Sequence, residues 1–231
     1  MIAGVVFMDR SSFEFQTIGV VHCQQKYRFE TPRQGVFSGC DGEIELFDRF
    51  GGDAIADLAG FERIWVIFCF HLNSGKPWKA KVQPPFPPDG PRRSIFATRS
   101  PYRVNPIGLS CVELVKVEKK RLFIRHIDML DGTPIFDIKP YIPVADCRPE
   151  AAEGYTAYTK EYGIEVDFPK ELLLNIPEEK RDALIELLSG DPRPGYDDSP
   201  DKRYGLTFAS FDIGFTVESG ILRVFRVDKK E

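Results

Sequence analysis

The run Phe61-Glu62-Arg63-Ile64-Trp65-Val66-Ile67-Phe68-Cys69-Phe70 constrains the fold more than any other segment. From Ile64 it is almost continuously apolar, β-branched and aromatic, and its length suits a strand rather than a helix. Such side chains pack well on a pleated surface. The run therefore predicts a central strand buried on both faces. Residues 15–23 mix apolar and polar positions at strand length, and Glu43-Ile44-Glu45-Leu46-Phe47 alternates with the period of a half-buried strand. Residues 53–58 read as a short helical turn. Residues 112–117 and 121–127 read as two further strands, with a hairpin turn at 118–120. With Gly and Pro between them, these runs predict an all-β sandwich or barrel up to about residue 147. There is no internal repeat and no GxGxxG or Walker motif, which argues against a doubly wound nucleotide-binding sheet.

The texture changes near residue 150. Pro177-Glu178-Glu179 opens a helix through Ser189, with Pro in its first turn, acids at its start and Gly190 just past its end. Ala183, Leu184, Leu187 and Leu188 form its apolar stripe. Residues 208–215 and 221–227 read as two strands joined through Glu218-Ser219-Gly220. The expected organisation is a mainly β domain over 13–150 and a small α+β domain over 151–231. A chain of 231 residues can bury a core as one domain or two.

No apolar run approaches the ~18 residues of a membrane span. The opening MIAGVVFM stops at Asp9-Arg10 and lacks a basic leading region, so no signal peptide is expected. Cys23, Cys40, Cys69, Cys111 and Cys147 are scattered and never form CxxC. They are expected to be free thiols in a reducing cytoplasm rather than a disulfide framework or a zinc site. His22, His71 and His126 have no paired spacing, so no histidine metal site is expected either.

Charge is unevenly placed. Residues 71–126 carry 12 Lys/Arg against 3 Asp/Glu, a net of +9, inside a chain whose formal net charge is −4. A basic block of this kind fits a surface that meets phosphates, or a solvated surface neutralised by the acidic C-terminal third. Residues 73–94 hold six prolines among the basic residues, which predicts a long, stiff, basic loop.

Three further segments are polar and conformationally constrained: residues 31–34, residues 96–110 and residues 128–141. In the second, Pro101 and Pro106 hold Arg99, Arg103 and Asn105 in a nearly rigid frame. That frame either orients a ligand at low entropic cost or uses its polar groups to satisfy backbone carbonyls. In the third, Asp131-Gly132-Thr133-Pro134 is a turn, with Asp128, Asp131 and Asp137 close in sequence. Those carboxylates either cap their own backbone or receive hydroxyl groups, an amino group or a proton. His71 closes the aromatic run as a structural donor or a base.

Together these segments resemble the TsaA-like, or TrmO-like, tRNA methyltransferases. The matching motifs are PRQ at 32–34, GxIEL at 42–46, GFxxIWVIFxFH at 60–71, FATRSPxRxNPIGLS at 96–110, LDGTPxxDIKPYIPxAD at 130–146 and DPRPGY at 191–196. The match departs from the family pattern at Tyr102, Val104 and Cys147, and the C-terminal strand has Phe211–Phe215 in place of a tryptophan-containing core.

The resemblance implies a mainly β fold: a non-Rossmann β-barrel that binds S-adenosylmethionine, with a small α+β C-terminal domain, acting as a homodimer. Its implied substrate is N6-threonylcarbamoyladenosine at position 37 of certain tRNAs, methylated on N6. The implied cofactor residues are Pro32, Arg33, Gln34, His71, Leu72, Arg99, Leu109 and the turn Asp128, Met129, Leu130, Asp131, Gly132 and Thr133. Asp131 or His71 is the candidate base for the N6 proton. Arg103 and Asn105, with Lys76, Lys79, Lys81, Arg92 and Arg93 of the basic block, are the candidate tRNA contacts. No metal and no membrane are implied. The alternatives are a methyltransferase for another RNA or a small molecule, and a non-catalytic dimeric RNA-binding barrel.

Overall fold

Six strands close on themselves because each has one apolar face, and closure leaves no sheet edge unpaired. The computed structural model describes residues 13–27, 31, 35, 40–84, 90–159, 164–193, 202–208 and 210–229. Its strands up to residue 140 are β1 (Gly19–Cys23), β2 (Asp41–Leu46), β3 (Arg63–Cys69), β4 (Lys81–Val82), β5 (Arg93–Ser94), β6 (Ile107–Glu118), β7 (Arg121–Arg125) and β8 (Pro134–Pro140). The barrel order is β1-β2-β7-β6-β3-β8, every neighbour antiparallel, while β4 and β5 form a separate two-stranded ribbon. The inward residues fill the barrel: Val21, Ile44, Leu46, Ile64, Val66, Phe68, Val112, Leu114, Leu122, Ile124 and Ile135 are all buried.

β3 is central in its pairing, lying between β6 and β8, but it is not buried on both faces. Ile64, Val66 and Phe68 are buried, whereas Arg63, Trp65, Ile67 and Cys69 between them are only half-buried. A barrel wall has one interior face, so a continuous apolar run alternates in burial there. The outer face is partly covered: Trp65 packs against Tyr141 at 5.8 Å between ring centroids, and its Nε1–H donates to Asp146 Oδ2 at 3.0 Å.

Gly108 lies on the interior face of β6, against Phe68. A Cβ there would lie 2.2 Å from the ring's Cζ, so the glycine makes room for the phenylalanine. The helical turn expected at 53–58 is a turn followed by a 3-10 helix at Ala56–Gly60.

The C-terminal part has its own four-stranded sheet, in the order β10-β11-β12-β9. Its strands are β9 (Glu165–Asp167), β10 (Tyr204–Phe208), β11 (Phe211–Glu218) and β12 (Ile221–Lys229). The strand expected over 208–215 starts later, at Phe211, as β11; Phe208 instead ends β10, which pairs antiparallel with β11 up to Phe208↔Phe211. The helices are α1 (Pro143–Asp146), α2 (Lys170–Leu173) and α3 (Glu178–Ser189). In α3, Pro177 is the N-cap residue rather than part of the first turn, and Glu178 and Glu179 lie in that turn, favourably placed at the positive end of the helix dipole. Leu184 and Leu188 are fully buried, with Ala183 and Leu187 packed against the core. No helix of the described residues is long and apolar enough to cross a membrane.

Candidate functional site at one mouth of the barrel

Antiparallel closure sorts the connections by end. The β1–β2 connection (24–40), the β3–β6 connection (70–106) and the β7–β8 connection (126–133) all open at one mouth; the β2–β3 and β6–β7 connections lie at the other. Every cofactor, base and tRNA candidate named from the sequence belongs to one of the first three connections, except Leu109, which lies near the start of β6 at the same mouth. Segments far apart in the chain thus meet because of strand order alone. Pro32, Arg33 and Gln34 belong to the first of these connections by sequence and lie outside the described residues.

Within this mouth the β7–β8 turn is pinned to β1. Asp131 N–H donates to Gln25 O at 2.7 Å, Gly132 N–H to Val21 O at 2.8 Å, and Val21 N–H to Thr133 O at 3.0 Å. Asp131 Oδ1 accepts the Cys23 N–H at 3.1 Å. The same oxygen is 4.0 Å from His22 Nδ1, and His22 Nε2 is 3.3 Å from Glu45 Oε2. Asp131 therefore serves as a backbone partner and still keeps about a third of its side chain exposed. Met129 and Thr133 are buried at 2% exposure, and their main-chain groups bond within the protein: Met129 O accepts from Cys23 Sγ, and Thr133 O from Val21 N–H. Leu130 O already accepts the Thr133 N–H.

Asp128 forms a second anchor. The Ser110 hydroxyl donates to its Oδ1 at 2.5 Å and the Gly35 N–H to its Oδ2 at 3.1 Å. Burial pushes its carboxyl above the usual range, against the opposing pull of these two hydrogen bonds and of the Arg99 guanidinium. One carboxylate thus ties the β1–β2 connection, through Gly35, to its own turn and to Ser110 of β6, and it feels the Arg99 charge of the β3–β6 connection. Gly35 also abuts backbone: a Cβ there would be 2.1 Å from His126 O.

The two candidate bases come from different connections. His71 opens the 3-10 turn His71–Asn73 after β3, and Asp131 belongs to the β7–β8 turn. Leu72 and Leu109 expose apolar surface, 41% and 55%. Arg103 is committed to the backbone: its Nη1–H groups donate to Ile95 O at 3.2 Å and Thr98 O at 2.7 Å. Asn105 is exposed and its carbonyl accepts the Ile107 N–H at 2.7 Å. Lys79 lies over the Tyr102 ring at 4.6 Å and Arg93 over Tyr155 at 4.9 Å. Arg92 donates to Lys81 O at 2.8 Å, and Lys76 is exposed.

Sequence reasoning missed Gln25, Asn73 and the anchoring role of Ser110. Among the described residues, Gln25 Oε1 and Asn73 Nδ2 are buried without a hydrogen-bond partner. Leaving a buried polar group unpaired costs ~1–3 kcal/mol. Only Ser110 carried a signal: it is a hydroxyl on the inward face of β6, where Gly108, Val112 and Leu114 are apolar or absent. The described residues hold no group of three or more His, Cys, Asp or Glu able to bind a metal.

Comparison with known proteins agrees with this architecture. Residues 20–147 match the tRNA-methyltransferase O N-terminal domain, and residues 161–230 match the TrmO C-terminal domain. The chain belongs to the tRNA-methyltransferase O family. It is 34% identical to the tRNA (adenine(37)-N6)-methyltransferase of Escherichia coli K12, over 95% of this chain and 100% of that one. It is 42% identical to an S-adenosyl-L-methionine-binding protein of Archaeoglobus fulgidus, over 56% of this chain and 90% of that one. A crystal structure of TrmO from Pseudomonas aeruginosa superposes with a TM-score of 0.75 at 29% identity, covering 94% of this chain and 97% of that one.

Proposed function

We propose that this chain transfers a methyl group from S-adenosylmethionine to N6 of adenine 37 in tRNA, and that the adenine it accepts carries an N6-threonylcarbamoyl group. The observation that carries this reading is the convergence of the three polar connections at one barrel mouth, two of which Asp128 ties together through Gly35 and its own turn.

The residues at the mouth fit the cofactor. Leu72 and Leu109 offer apolar surface to an adenine ring, and the Asp128–Thr133 turn offers carboxylate and main-chain acceptors to hydroxyl and ammonium groups. Gln25 Oε1 and Asn73 Nδ2, without a partner among the described residues, add an acceptor and a donor in the same connections. Pro32, Arg33, Gln34, His71 and Arg99 complete the proposed set. When bound, S-adenosylmethionine supplies an electrophilic methyl group on a sulfonium centre.

The chain then has three tasks: to align the acceptor nitrogen, to exclude water and to take the N6 proton. A urea-like N6 holds its proton less tightly than a free adenine amine, so a modest base suffices. Asp131, fixed by Cys23 N–H, or His71 takes that proton. Residues 13–150 are the catalytic domain and 151–231 a separate C-terminal domain. The enzyme works as a homodimer in the cytoplasm; its five cysteines form no disulfide, which suits a reducing compartment.

Calorimetric titration with S-adenosylhomocysteine tests the cofactor site. The intact protein binds, and Arg99→Ala and Asp131→Ala weaken binding about 10- to 100-fold. No binding by the intact protein removes the reading. Methyl transfer to tRNA with and without the threonylcarbamoyl group tests the acceptor, and equal rates on both would reject the modified base as substrate. Lys76→Glu and Arg92→Glu test the basic loop. Each lowers the salt slope of tRNA binding by about 1 if it removes a phosphate contact; an unchanged slope leaves the loop a solvated surface.

A further inference from the structure

Phe96 projects an aromatic ring into solvent from a turn whose backbone is fixed. It lies in the 3-10 turn Ile95–Ala97 and is 75% exposed, while its neighbour Ile95 is buried. The turn is fixed from several sides. Ile95 N–H donates to Ala80 O at 2.9 Å, and Ile95 O accepts from Thr98 N–H at 3.1 Å, Thr98 Oγ1 at 2.9 Å and Arg103 Nη1 at 3.2 Å. The Arg103 guanidinium also lies 5.7 Å from the centroid of the Phe96 ring. An exposed phenylalanine normally costs hydration and gains nothing. Here Arg103 bonds to the backbone of the turn that carries the ring and lies beside the ring itself.

The surroundings indicate what would cover the ring. Phe96 belongs to the +9 block of residues 71–126. The Lys79–Lys81 segment runs alongside, tied by the Ile95–Ala80 bond and by Lys79 N–H to Tyr102 O at 3.2 Å. An apolar face with a cationic border matches a base attached to a phosphate backbone. Aromatic rings next to positive charge bind unpaired bases by stacking, and the bases of RNA loops are free to splay outward. A ring pinned in advance loses little entropy on stacking.

We propose that Phe96 is a stacking platform for an unpaired base of the tRNA anticodon loop, with Arg103 as the residue that positions its ring. This rests on the proposed tRNA substrate and adds the subsite. Base–aromatic stacking is sequence-tolerant and carries no net charge, so it separates cleanly from the phosphate contacts.

The test is equilibrium binding of an anticodon stem-loop RNA bearing threonylcarbamoylated adenosine 37, measured across a salt series for the full chain. Phe96→Ala and Phe96→Leu weaken binding about 5- to 100-fold with the salt slope unchanged, while Phe96→Trp retains it. Arg103→Ala weakens binding in the same way and is non-additive with Phe96→Ala, because both remove one platform. S-adenosylhomocysteine affinity and oligomeric state stay as in the unaltered protein. Full RNA affinity in Phe96→Leu would overturn stacking. Lost S-adenosylhomocysteine affinity would place the ring in the cofactor pocket instead, and a changed oligomeric state would place it under a second copy of the chain. If the unaltered protein binds S-adenosylhomocysteine but not the RNA, the platform fails while the cofactor reading stands.

Discussion

Gly35→Ala abolishes S-adenosylhomocysteine binding, to beyond about 100-fold or about 2.7 kcal/mol, while leaving the barrel folded. The added Cβ would meet His126 O at 2.1 Å. The clash is with backbone, which is held in turn by the entry into the β7–β8 turn, so neither side yields cheaply. The segment has to lift, and lifting it removes the Gly35 N–H from Asp128 Oδ2. That leaves the carboxylate with the Ser110 hydroxyl and the Arg99 charge, at a cost of ~1–3 kcal/mol for the lost partner. Pro32-Arg33-Gln34 immediately precede Gly35 in the chain, so the displacement carries the proposed cofactor segment with it. Thermal unfolding and calorimetry on the same samples separate the two effects. The melting temperature falls by only about 2–4 °C per kcal/mol in a chain of this size. Unchanged binding in Gly35→Ala would mean that the anchor does not position the cofactor segment.

Gly108→Ala has the larger effect on stability. Its Cβ would lie 2.2, 2.4 and 2.7 Å from three atoms of the Phe68 ring, inside a barrel with no slack. Overpacking of this kind costs ~1–3 kcal/mol, so the melting temperature falls by about 2–12 °C. Phe68→Leu introduced with it restores part of the loss, because the two positions share one volume and their effects do not add. Gly108 lies within the NPIGLS motif that helped mark the site, yet its role is packing. The folded fraction of Gly108→Ala therefore keeps its S-adenosylhomocysteine affinity. A fall in affinity without a fall in melting temperature would contradict the packing role.

What the sequence disclosed follows from how local each signal is. The strands at 15–23, 43–47, 61–70, 112–117 and 121–127 were legible because apolar alternation and β-branched runs are local. β8 was not, since Pro134 and Pro140 bound it and it reads as a continuation of the turn. It forms a strand only because β1 and β3 lie on either side of it. The break between Phe208 and Phe211 was not legible either, because nothing in the composition marks it. The candidate site shows the same division. Asp128 and Asp131 stood out as carboxylates near a turn, but their partners Gly35 and Cys23 lie 93 and 108 residues earlier. Gln25 and Asn73 resemble ordinary loop residues, and only the three-dimensional structure exposes their unpaired atoms. Of the two uses weighed for the polar groups of 96–110, the structure displays for Arg103 the bonds to backbone carbonyls.

The pinning of β1 to the β7–β8 turn also sets the order in which the molecule can become competent. Asp131 reaches Cys23, and Ile18 N–H donates to Ile135 O at 2.8 Å, only when the first and last strands of the barrel meet. Closing so long a loop is among the slower, entropically costly steps of folding. A nascent chain released as far as β7 already holds five of the six barrel strands, but it has neither the Asp131 turn nor the wall that orients it. The proposed donor pocket therefore matures at the moment of ring closure rather than strand by strand. On that reading, cofactor capture reports on completion of the whole barrel, and a truncated or stalled chain binds no cofactor.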